Sequence, residues 1–416
     1  MTPDIKEFIT AFGRIGLLSF GGPAAQIALM HAELVERRKW LDEAQFLRAL
    51  SLCMLLPGPE AMQMATYTGW RLRGTLGGLI AGLLFVIPGA LVIMVLALGY
   101  VTYGQLPLVQ AAFLGVKAAV IVVVLQALLR LGRKALHTRA SWIIAALAFV
   151  ALFAFGVPFP ALIAAAGVYG YVTASATPEV LAPSAPIKTN TLGIIAAWGG
   201  LWAAPLVILA LINQTFLTQI GLFFSKLAVV TFGGAYAVLA YMSQTVVQDF
   251  GWITSGQMID ALGLAETTPG PLILVTQFVA LLAGYAQGGI GLAIAAGAVA
   301  LWVTFIPCFL WIFVAGPYIE TLTHRPRLAS ALQAITCAVV GVILNLSIWF
   351  ALHVLFDRVI HWGALPMPDL SSINVTAVIL TLIAAAMMLW LKRGLGLTLL
   401  TMATIGAGLG LLSGAI

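Results

Sequence analysis

The sequence predicts an all-α polytopic membrane protein made of two inverted-topology repeats with broken or re-entrant helices. The composition, the lengths of the apolar runs and an internal repeat support this fold class. Of the 416 residues, 62% are hydrophobic and 8% are charged, and the mean hydropathy is +1.08. A soluble protein carries about 25% charged residues to keep its surface hydrated. The composition therefore excludes soluble enzymes, DNA-binding domains and disordered scaffolds.

The charged, cysteine and histidine residues argue against three kinds of site. The formal charge of +6 is a basic excess of the kind that cytoplasmic loops give a membrane protein, so we expect no nucleic-acid partner. The three cysteines and five histidines form no CxxC, HExxH or similar ligand spacing, so no metal and no cofactor are expected. The sequence contains no nucleophile motif or phosphate-binding loop, which disfavours an enzyme.

The long apolar runs predict membrane-spanning helices, each of which needs about 20 residues. Five runs reach that length: 76–103, 107–129, 192–212, 292–314 and 328–355. Two further runs, 141–173 and 375–413, are too long for one helix and are interrupted midway. We expect each of these to form a helical hairpin. The first residues lack a basic region and a cleavage site, so no removable signal peptide is expected.

Two segments near the start differ from these apolar runs, because glycine and proline residues interrupt each of them midway. Segment 4–36 is interrupted at Gly21-Gly22-Pro23 and segment 42–73 at Pro57-Gly58-Pro59. A piece of about 15 residues reaches about 22 Å, short of a hydrocarbon core of about 30 Å. We expect both segments to be re-entrant, and full crossing is the alternative.

The second half of the chain repeats these landmarks. Phe12 to Gly22 aligns with Phe224 to Gly234 at an offset of 212 residues (224 − 12), and the same offset carries Pro57-Gly58-Pro59 onto Pro269-Gly270-Pro271. The sequence therefore predicts a first repeat (1–174), a linker with a connecting transmembrane helix (175–212) and a second repeat (213–416).

The loop charges orient the two repeats. With re-entrant segments, Arg37-Arg38-Lys39 and the cluster from Arg130 to Arg139 lie in the cytoplasm. The connecting helix has no partner in the second half, so it turns the second repeat upside down. The loops around Asp249 and Gln287 then face outward, and they contain no Lys or Arg. This distribution follows the positive-inside rule and favours inverted repeats.

Four matched helix breaks at membrane depth predict a binding site. Irregular backbone inside a bilayer survives only where it is buried in protein or lines a wet cavity. A helix N-terminus offers free N–H groups and about half a positive charge, so the breaks could cradle an anion. The alternative is that their small residues only allow close helix packing. The candidate substrate-binding residues at the breaks are Ser19, Gly21, Gly22, Pro57, Gly58, Pro59, Gln63, Thr231, Gly233, Gly234, Pro269, Gly270 and Pro271.

Three cations in apolar surroundings are further candidates for the anion site. Arg14 and its repeat partner Lys226 each precede a Gly-Gly pair by seven residues, or about 10 Å of helix. Their side chains could approach an anion at the break, or they could instead snorkel to the interface or pair with an acid. Lys117 is the weaker candidate, because its repeat equivalent Thr336 is uncharged.

Acidic residues in apolar segments are candidates for proton coupling. Glu60 follows the second break, whereas Asp260 and Glu266 precede the fourth. A carboxyl group that is protonated inside the membrane could relay protons. An internal salt bridge with Arg14, Lys117 or Lys226 is the alternative.

Several short motifs give the chain a family resemblance. They are Ser19-Phe20-Gly21-Gly22-Pro23, Pro57-Gly58-Pro59 with Gln63 and Gly69-Trp70, Gly74 to Gly78, Thr231 to Gly234 and Thr268 to Pro271. With these motifs the chain resembles the chromate ion transporters in their long two-domain form, over nearly its whole length. Trp70 stands where that family more often has Tyr, and Ala235 replaces the proline of the first break.

The resemblance implies a multi-pass protein of the bacterial cell inner membrane that exports chromate and gives chromate resistance. Sulfate and other tetrahedral dianions share the shape and charge of chromate, so a sulfate or other oxyanion transporter or channel is the alternative. Proton antiport and potential-driven uniport both stay open, and a membrane-embedded enzyme is the least favoured function. The expected partners are the oxyanion and the lipid bilayer, and the sequence leaves open a homodimer.

Overall fold

The computed structural model describes residues 3–174, 190–232, 234–319, 325–362 and 365–412. Within these residues the chain forms fifteen α-helices and one short β-hairpin, which confirms the predicted all-α class. Six helical segments are long and apolar enough to cross a membrane, as a polytopic protein requires. They are Glu60–Tyr103, Pro107–Ala135, Thr191–Leu211, Leu272–Tyr318, Pro326–Leu355 and Leu395–Leu412. Most of the predicted linker, 175–189, falls outside the described residues.

The first half of the chain contains seven α-helices in its described part. Asp4 caps the first by accepting a hydrogen bond from the N–H of Lys6, and the second begins at Gly22 with Pro23 in its first turn. The helices are α1 Ile5–Leu18, α2 Gly22–His31, α3 Glu43–Leu55, α4 Glu60–Tyr103, α5 Pro107–Ala135, α6 Arg139–Phe155 and α7 Phe159–Thr173.

The second half adds eight α-helices in its described part: α8 Thr191–Leu211, α9 Thr215–Val230, α10 Ala235–Gln244, α11 Ser255–Thr267, α12 Val275–Ala315, α13 Pro326–Leu355, α14 Val375–Ala385 and α15 Leu395–Leu412. The antiparallel strands β1 Val359–Trp362 and β2 Leu365–Pro368 lie between α13 and α14. The sequence did not predict this hairpin, because Pro366 and Pro368 within β2 disfavour a strand. In the loop that follows, hydrogen bonds from the side chain and the N–H of Ser371 lower the pKa of Asp369.

Unusual backbone features recur at equivalent places in the two halves. A π-helical turn, Ala32–Arg37, extends α2, and another, Thr245–Asp249, extends α10. The path of α4 changes at Gly74 (φ 67°, ψ −163°) and that of α12 at Gly289 (φ 73°, ψ −163°). These matches support the internal repeat. The inverted orientation of the two copies stays a prediction.

Each of the two interrupted runs forms two helices, as the sequence predicted. In the first, α6 ends at Gly156, whose φ of +60° lies in the left-handed region that glycine favours. The second run forms α14, extended by a π-helical turn at Ala386–Trp390, and α15.

The chain divides into two compact units, each of which takes segments from both predicted repeats. The first unit comprises Met1–Val95, Gly170–Ala235 and Thr268–Leu332, and the second comprises Leu96–Tyr169, Tyr236–Thr267 and Gln333–Ile416. In the first unit, α12 packs against α8 and α9. In the second, α5 packs against α11, α14 and α15, and a Cβ at Gly115 would come within 1.9 Å of the carbonyl oxygen of Met402. Small residues thus allow this close helix contact, as in other membrane bundles.

Candidate functional site

All four helix breaks lie in the first unit, and hydrogen bonds connect them in reciprocal pairs. The N–H of Gly58 in the second break donates to the carbonyl oxygen of Thr231 in the third at 2.8 Å. Its repeat equivalent, the N–H of Gly270, donates to the carbonyl oxygen of Ser19 at 2.9 Å. Each Pro-Gly-Pro break therefore satisfies a carbonyl group at the end of a half-helix from the other repeat, as buried backbone requires.

Two glutamines complete the hydrogen bonding of the breaks. Gln26 Nε2 donates to the carbonyl oxygens of Gly270 at 2.7 Å and Ser19 at 3.3 Å. Gln63 Nε2 donates to the carbonyl oxygen of Pro57 at 2.7 Å, so one of its amide hydrogens is committed to the break. The sequence analysis predicted a role for Gln63 but missed Gln26. The signal for Gln26 was a single polar residue three positions after Pro23.

The hydroxyl groups of Ser19 and Thr231 bond back to their own helices. Ser19 Oγ donates to the carbonyl oxygen of Ile15 at 2.5 Å, and Thr231 Oγ1 donates to that of Leu227 at 2.6 Å. Both side chains are buried. Their hydroxyl hydrogens therefore stabilise the helix ends, and the predicted contact of these side chains with substrate stays a prediction.

The glycines of the breaks differ in the space around them. Gly58 has a φ of +119°, and a Cβ there would lie 2.9 Å from Gln63 Nε2 and 3.0 Å from Cys308 Sγ. Gly22 has a φ of +80°, but no heavy atom of another residue lies within 4 Å of its Cβ position. The Pro-Gly-Pro break is thus tightly packed, whereas the start of α2 is open. Gly233 lies outside the described residues, and a Cβ at Gly234 would also meet open space.

The start of α2 is open, and its predicted role in binding an anion stays a prediction. Gly21 and Ala24 are exposed, and Gly22 is half-buried. The first N–H groups of a helix have no partner within the helix, and the dipole makes this end positive. An anion could therefore approach donors here, while Gly270 of the fourth break bonds to Ser19 just before α2 and to Gln26 within it.

The structure places Arg14 and Lys226 on the surfaces of α1 and α9, with exposed side chains. Among the hydrogen bonds and salt bridges of the described residues, none involves the Arg14 guanidinium. The alternative in which an acid pairs with Arg14 therefore has no support in the described part of the chain. The role of both cations in binding substrate stays a prediction.

Glu60 occupies the first position of α4, directly after Pro59. Its side chain is half-buried. A carboxylate at a helix N-terminus is stabilised by the helix dipole. An anion bound at this helix end would be repelled by ionised Glu60, so protonation of Glu60 would favour its binding.

Asp260 forms an ion pair in the second unit. The residue is 3% exposed, its Oδ2 lies 3.4 Å from Lys117 Nζ, and the same oxygen accepts a hydrogen bond from the Tyr100 hydroxyl at 2.8 Å. Asp260 Oδ1 is buried without a hydrogen-bond donor among the described residues. Asp260 therefore forms one of the salt bridges that the sequence offered as alternatives, and Lys117, the weaker substrate candidate, is its partner. A role of Asp260 in proton coupling stays a prediction.

Glu266 lies six residues further along α11, and it too is hydrogen-bonded by a tyrosine. It is 6% exposed, and it accepts a hydrogen bond from the hydroxyl of Tyr236. Neither tyrosine partner was predicted from the sequence, because a tyrosine in an apolar helix is ordinary. Two buried carboxyl groups with phenol donors now lie on one helix.

The described residues contain no group of three or more His, Cys, Asp or Glu side chains that could hold a metal ion. Cys53, Cys308 and Cys337 are free and buried. The charged loop after α2 forms an ion cluster, in which Arg38 pairs with Glu33 at 2.9 Å and with Glu7 at 2.6 Å. This cluster stabilises the end of the first broken segment.

Comparison with known proteins identifies the family. The model of the family described as "Chromate transporter" matches residues 6–171 and 218–411. A chromate transport protein of Pseudomonas aeruginosa is 36% identical over 348 residues, which cover 81% of this chain and 79% of that protein. A probable chromate transport protein of Synechococcus elongatus is 32% identical, covering 82% of this chain and 83% of its own length.

A chromate transport protein of Cupriavidus metallidurans is 30% identical and covers 86% of this chain and 85% of its own length. No solved structure gives a significant match. The matched proteins are named as transporters, not as enzymes, and the family model covers both halves that carry the paired breaks. The chain is a multi-pass membrane protein that belongs to the chromate transporter family.

Proposed function

We propose that this chain exports chromate across the cell inner membrane, with sulfate and related tetrahedral oxyanions as competing substrates, and so gives chromate resistance. The family match and the names of three relatives support chromate as the substrate. The observation that carries the mechanism is the reciprocal pairing of the four breaks through Gly58 to Thr231 and Gly270 to Ser19.

The proposed binding site is the start of α2 and its repeat equivalent at the start of α10. The free N–H groups after Gly21 would donate to the oxyanion, and the helix dipole would favour its charge. Arg14 and Lys226 would add long-range attraction from about two turns away. Gly58, Gly270 and the glutamine amides hold these helix ends in place.

The membrane potential supports export as the direction. Moving one charge through 100 mV is worth about 2.3 kcal/mol, so an inside-negative potential favours exit of a dianion by about 4.6 kcal/mol. That corresponds to about 3.4 decades of concentration. Export therefore needs no coupled ion, and uniport and channel mechanisms remain alternatives to proton antiport.

Three acids support proton antiport as the coupled alternative. Glu60 lies at the start of α4, directly after the second break, so a change in its protonation would change the charge beside the breaks. Asp260 and Glu266 each accept a hydrogen bond from a tyrosine. Such buried carboxyl groups in membrane helices are candidates for proton relay.

Flux in proteoliposomes tests the proposal, with the membrane potential and the pH gradient set independently. We expect chromate to move with the potential, and excess sulfate to reduce its flux. Flux that needs a pH gradient would select the antiporter. If wild-type protein moves neither chromate nor sulfate under any gradient, the proposed function is wrong. Cross-linking of the reconstituted protein would show whether it forms the homodimer that the sequence leaves open.

A further inference from the structure

A cavity of about 200 Å³ lies within the second unit, apart from the helix breaks. Apolar residues of α6 and the β2 residue Pro366 form part of its wall. The polar lining comes from Ser243 and Gln244 of α10, from Gln248 in the π-helical turn that extends it, and from Asn345 and Trp349 of α13. The cavity is thus bounded by two helices that both present polar side chains.

The polar side chains are arranged as two facing pairs. Gln244 and Gln248 are four residues apart, as are Asn345 and Trp349, so each pair projects from one side of its helix. The side-chain amides of Gln244, Gln248 and Asn345 make no hydrogen bond to another described residue. The buried Nε1 of Trp349 also lacks an acceptor in the described part of the chain.

These uncommitted groups indicate the class of ligand. An indole N–H is only a donor, and a glutamine or asparagine can turn its NH₂ group towards a ligand. A ligand with acceptors alone, such as an oxyanion, would satisfy all four groups. No Asp, Glu, Lys, Arg or His is among the described residues that line the cavity, so binding would be weak. Weak binding suits a site that an ion must leave quickly.

The volume fits a partly hydrated oxyanion. One water occupies about 30 Å³ of liquid, so the cavity has room for about six water-sized groups. A tetrahedral oxyanion has five heavy atoms, which leaves space for water beside it.

The cavity also lies next to a loop that the charge distribution assigns to the outer side. Gln248 lines the cavity. It directly precedes Asp249, and the sequence analysis placed the loop around Asp249 outside. This position places the cavity on the side of the membrane where an exported ion is released.

We infer that this cavity is an outer vestibule that binds a tetrahedral oxyanion through Gln244, Gln248, Asn345 and Trp349 before its release. The inference rests on the proposed function, because it takes the transported oxyanion as the ligand. It names a further binding site, which lies outside the helix breaks, and it assigns that site to the outer side of the membrane.

Charge changes at Gln248 test the vestibule, because this side chain is exposed and substitutions at exposed positions usually change stability little. Chromate flux is measured in right-side-out vesicles, with chromate added from the outside. A unit charge about 6 Å from a dianion in water changes affinity about tenfold. Gln248→Glu should therefore raise the half-saturating chromate concentration about tenfold, and Gln248→Lys should lower it by a similar factor. Misfolding cannot produce both shifts.

Gln287 provides the matched control, because it is exposed, is assigned to the outer side and does not line the cavity. Gln287→Glu and Gln287→Lys should each change the half-saturating concentration by less than about twofold, because a distant exposed charge is screened by salt. Opposite shifts at Gln248 with constant values at Gln287 support the vestibule.

Two results would overturn the inference, and they are distinguishable. If wild-type protein transports chromate but both Gln248 variants keep its half-saturating concentration, the vestibule is wrong and the proposed function stands. If wild-type protein transports neither chromate nor sulfate, the proposed function fails and the vestibule fails with it. Should Gln248→Glu not reach the membrane, Gln248→Lys alone decides, since only the vestibule predicts tighter binding.

Discussion

The ion pair between Lys117 and Asp260 gives the sharpest prediction on stability. The substitution Lys117→Met removes the cation and leaves Asp260, which is 3% exposed, with the Tyr100 hydroxyl as its donor. Removing one partner of a buried ion pair costs about 3 to 5 kcal/mol. The Lys117 side chain is 25% exposed and one hydrogen bond survives, so we expect the lower end, about 3 kcal/mol. That is about a 150-fold change in the folded-to-unfolded ratio.

The assay is the free energy of unfolding of purified protein, from a denaturing-detergent titration in mixed micelles. The double substitution Lys117→Met with Asp260→Asn removes both charges, and should recover most of the lost stability. Lys134→Met is the matched control on the same helix, because Lys134 is exposed; it should change stability by about 0.5 kcal/mol or less.

The reasoning is refuted if Lys117→Met costs no more than Lys134→Met, or if the double variant is as unstable as the sum of its single variants. Flux through the double variant then separates two roles of Asp260. A purely structural ion pair predicts that transport returns with stability. A proton relay predicts a folded protein whose flux no longer responds to the pH gradient.

Three further predictions concern the first unit and the topology. Gly22→Ala should lower the free energy of unfolding by about 1 to 2 kcal/mol because of the positive φ alone. Gly58→Ala should lower it by about 1 to 3 kcal/mol more, because the added Cβ overpacks the break; equal thermal stabilities of the two variants would contradict this difference in packing. Arg14→Ala should weaken chromate transport in vesicles without reducing the amount of folded protein, and Arg14→Lys should retain part of the transport because it keeps the charge; wild-type flux in Arg14→Ala would remove Arg14 from the site. Cysteines introduced beside Arg38 and Asp249 should react with impermeant reagents from the cytoplasmic and periplasmic faces, respectively; reaction from one face would refute inverted repeats.

The sequence was sufficient to predict the fold class and the positions of the helix breaks. Apolar length sets where a helix can span, and glycine and proline mark where it stops, as at Gly21 and Pro57. The sequence could not predict which helices pack together, because in a lipid-embedded chain nearly every helix face is apolar. For this reason the two compact units, each drawn from both repeats, were not foreseen.

For the candidate site, the sequence likewise predicted the positions of the breaks but not the contacts between them. The repeat pointed to the four breaks, but the reciprocal hydrogen bonds between them depend on how the half-helices pack. Asp260 had three cations as its candidate partners, and only the packing of α11 against α5 selects Lys117. Gln26 was missed because its partners are the backbone carbonyl groups of Ser19 and Gly270. Every residue has such a group, so the sequence does not show which ones a side chain will bond.

Protection of an introduced cysteine tests most directly whether an oxyanion binds at the open start of α2. Ala24→Cys places a thiol in the first turn of the helix, at an exposed position, and Ala28→Cys places one a turn further on, also exposed. The three native cysteines are buried, so their background reaction should be small. Sulfate is used in place of chromate, because chromate oxidises thiols. Saturating sulfate should slow the labelling of Ala24→Cys severalfold and leave that of Ala28→Cys unchanged; equal rates at Ala24→Cys with and without sulfate would contradict the account.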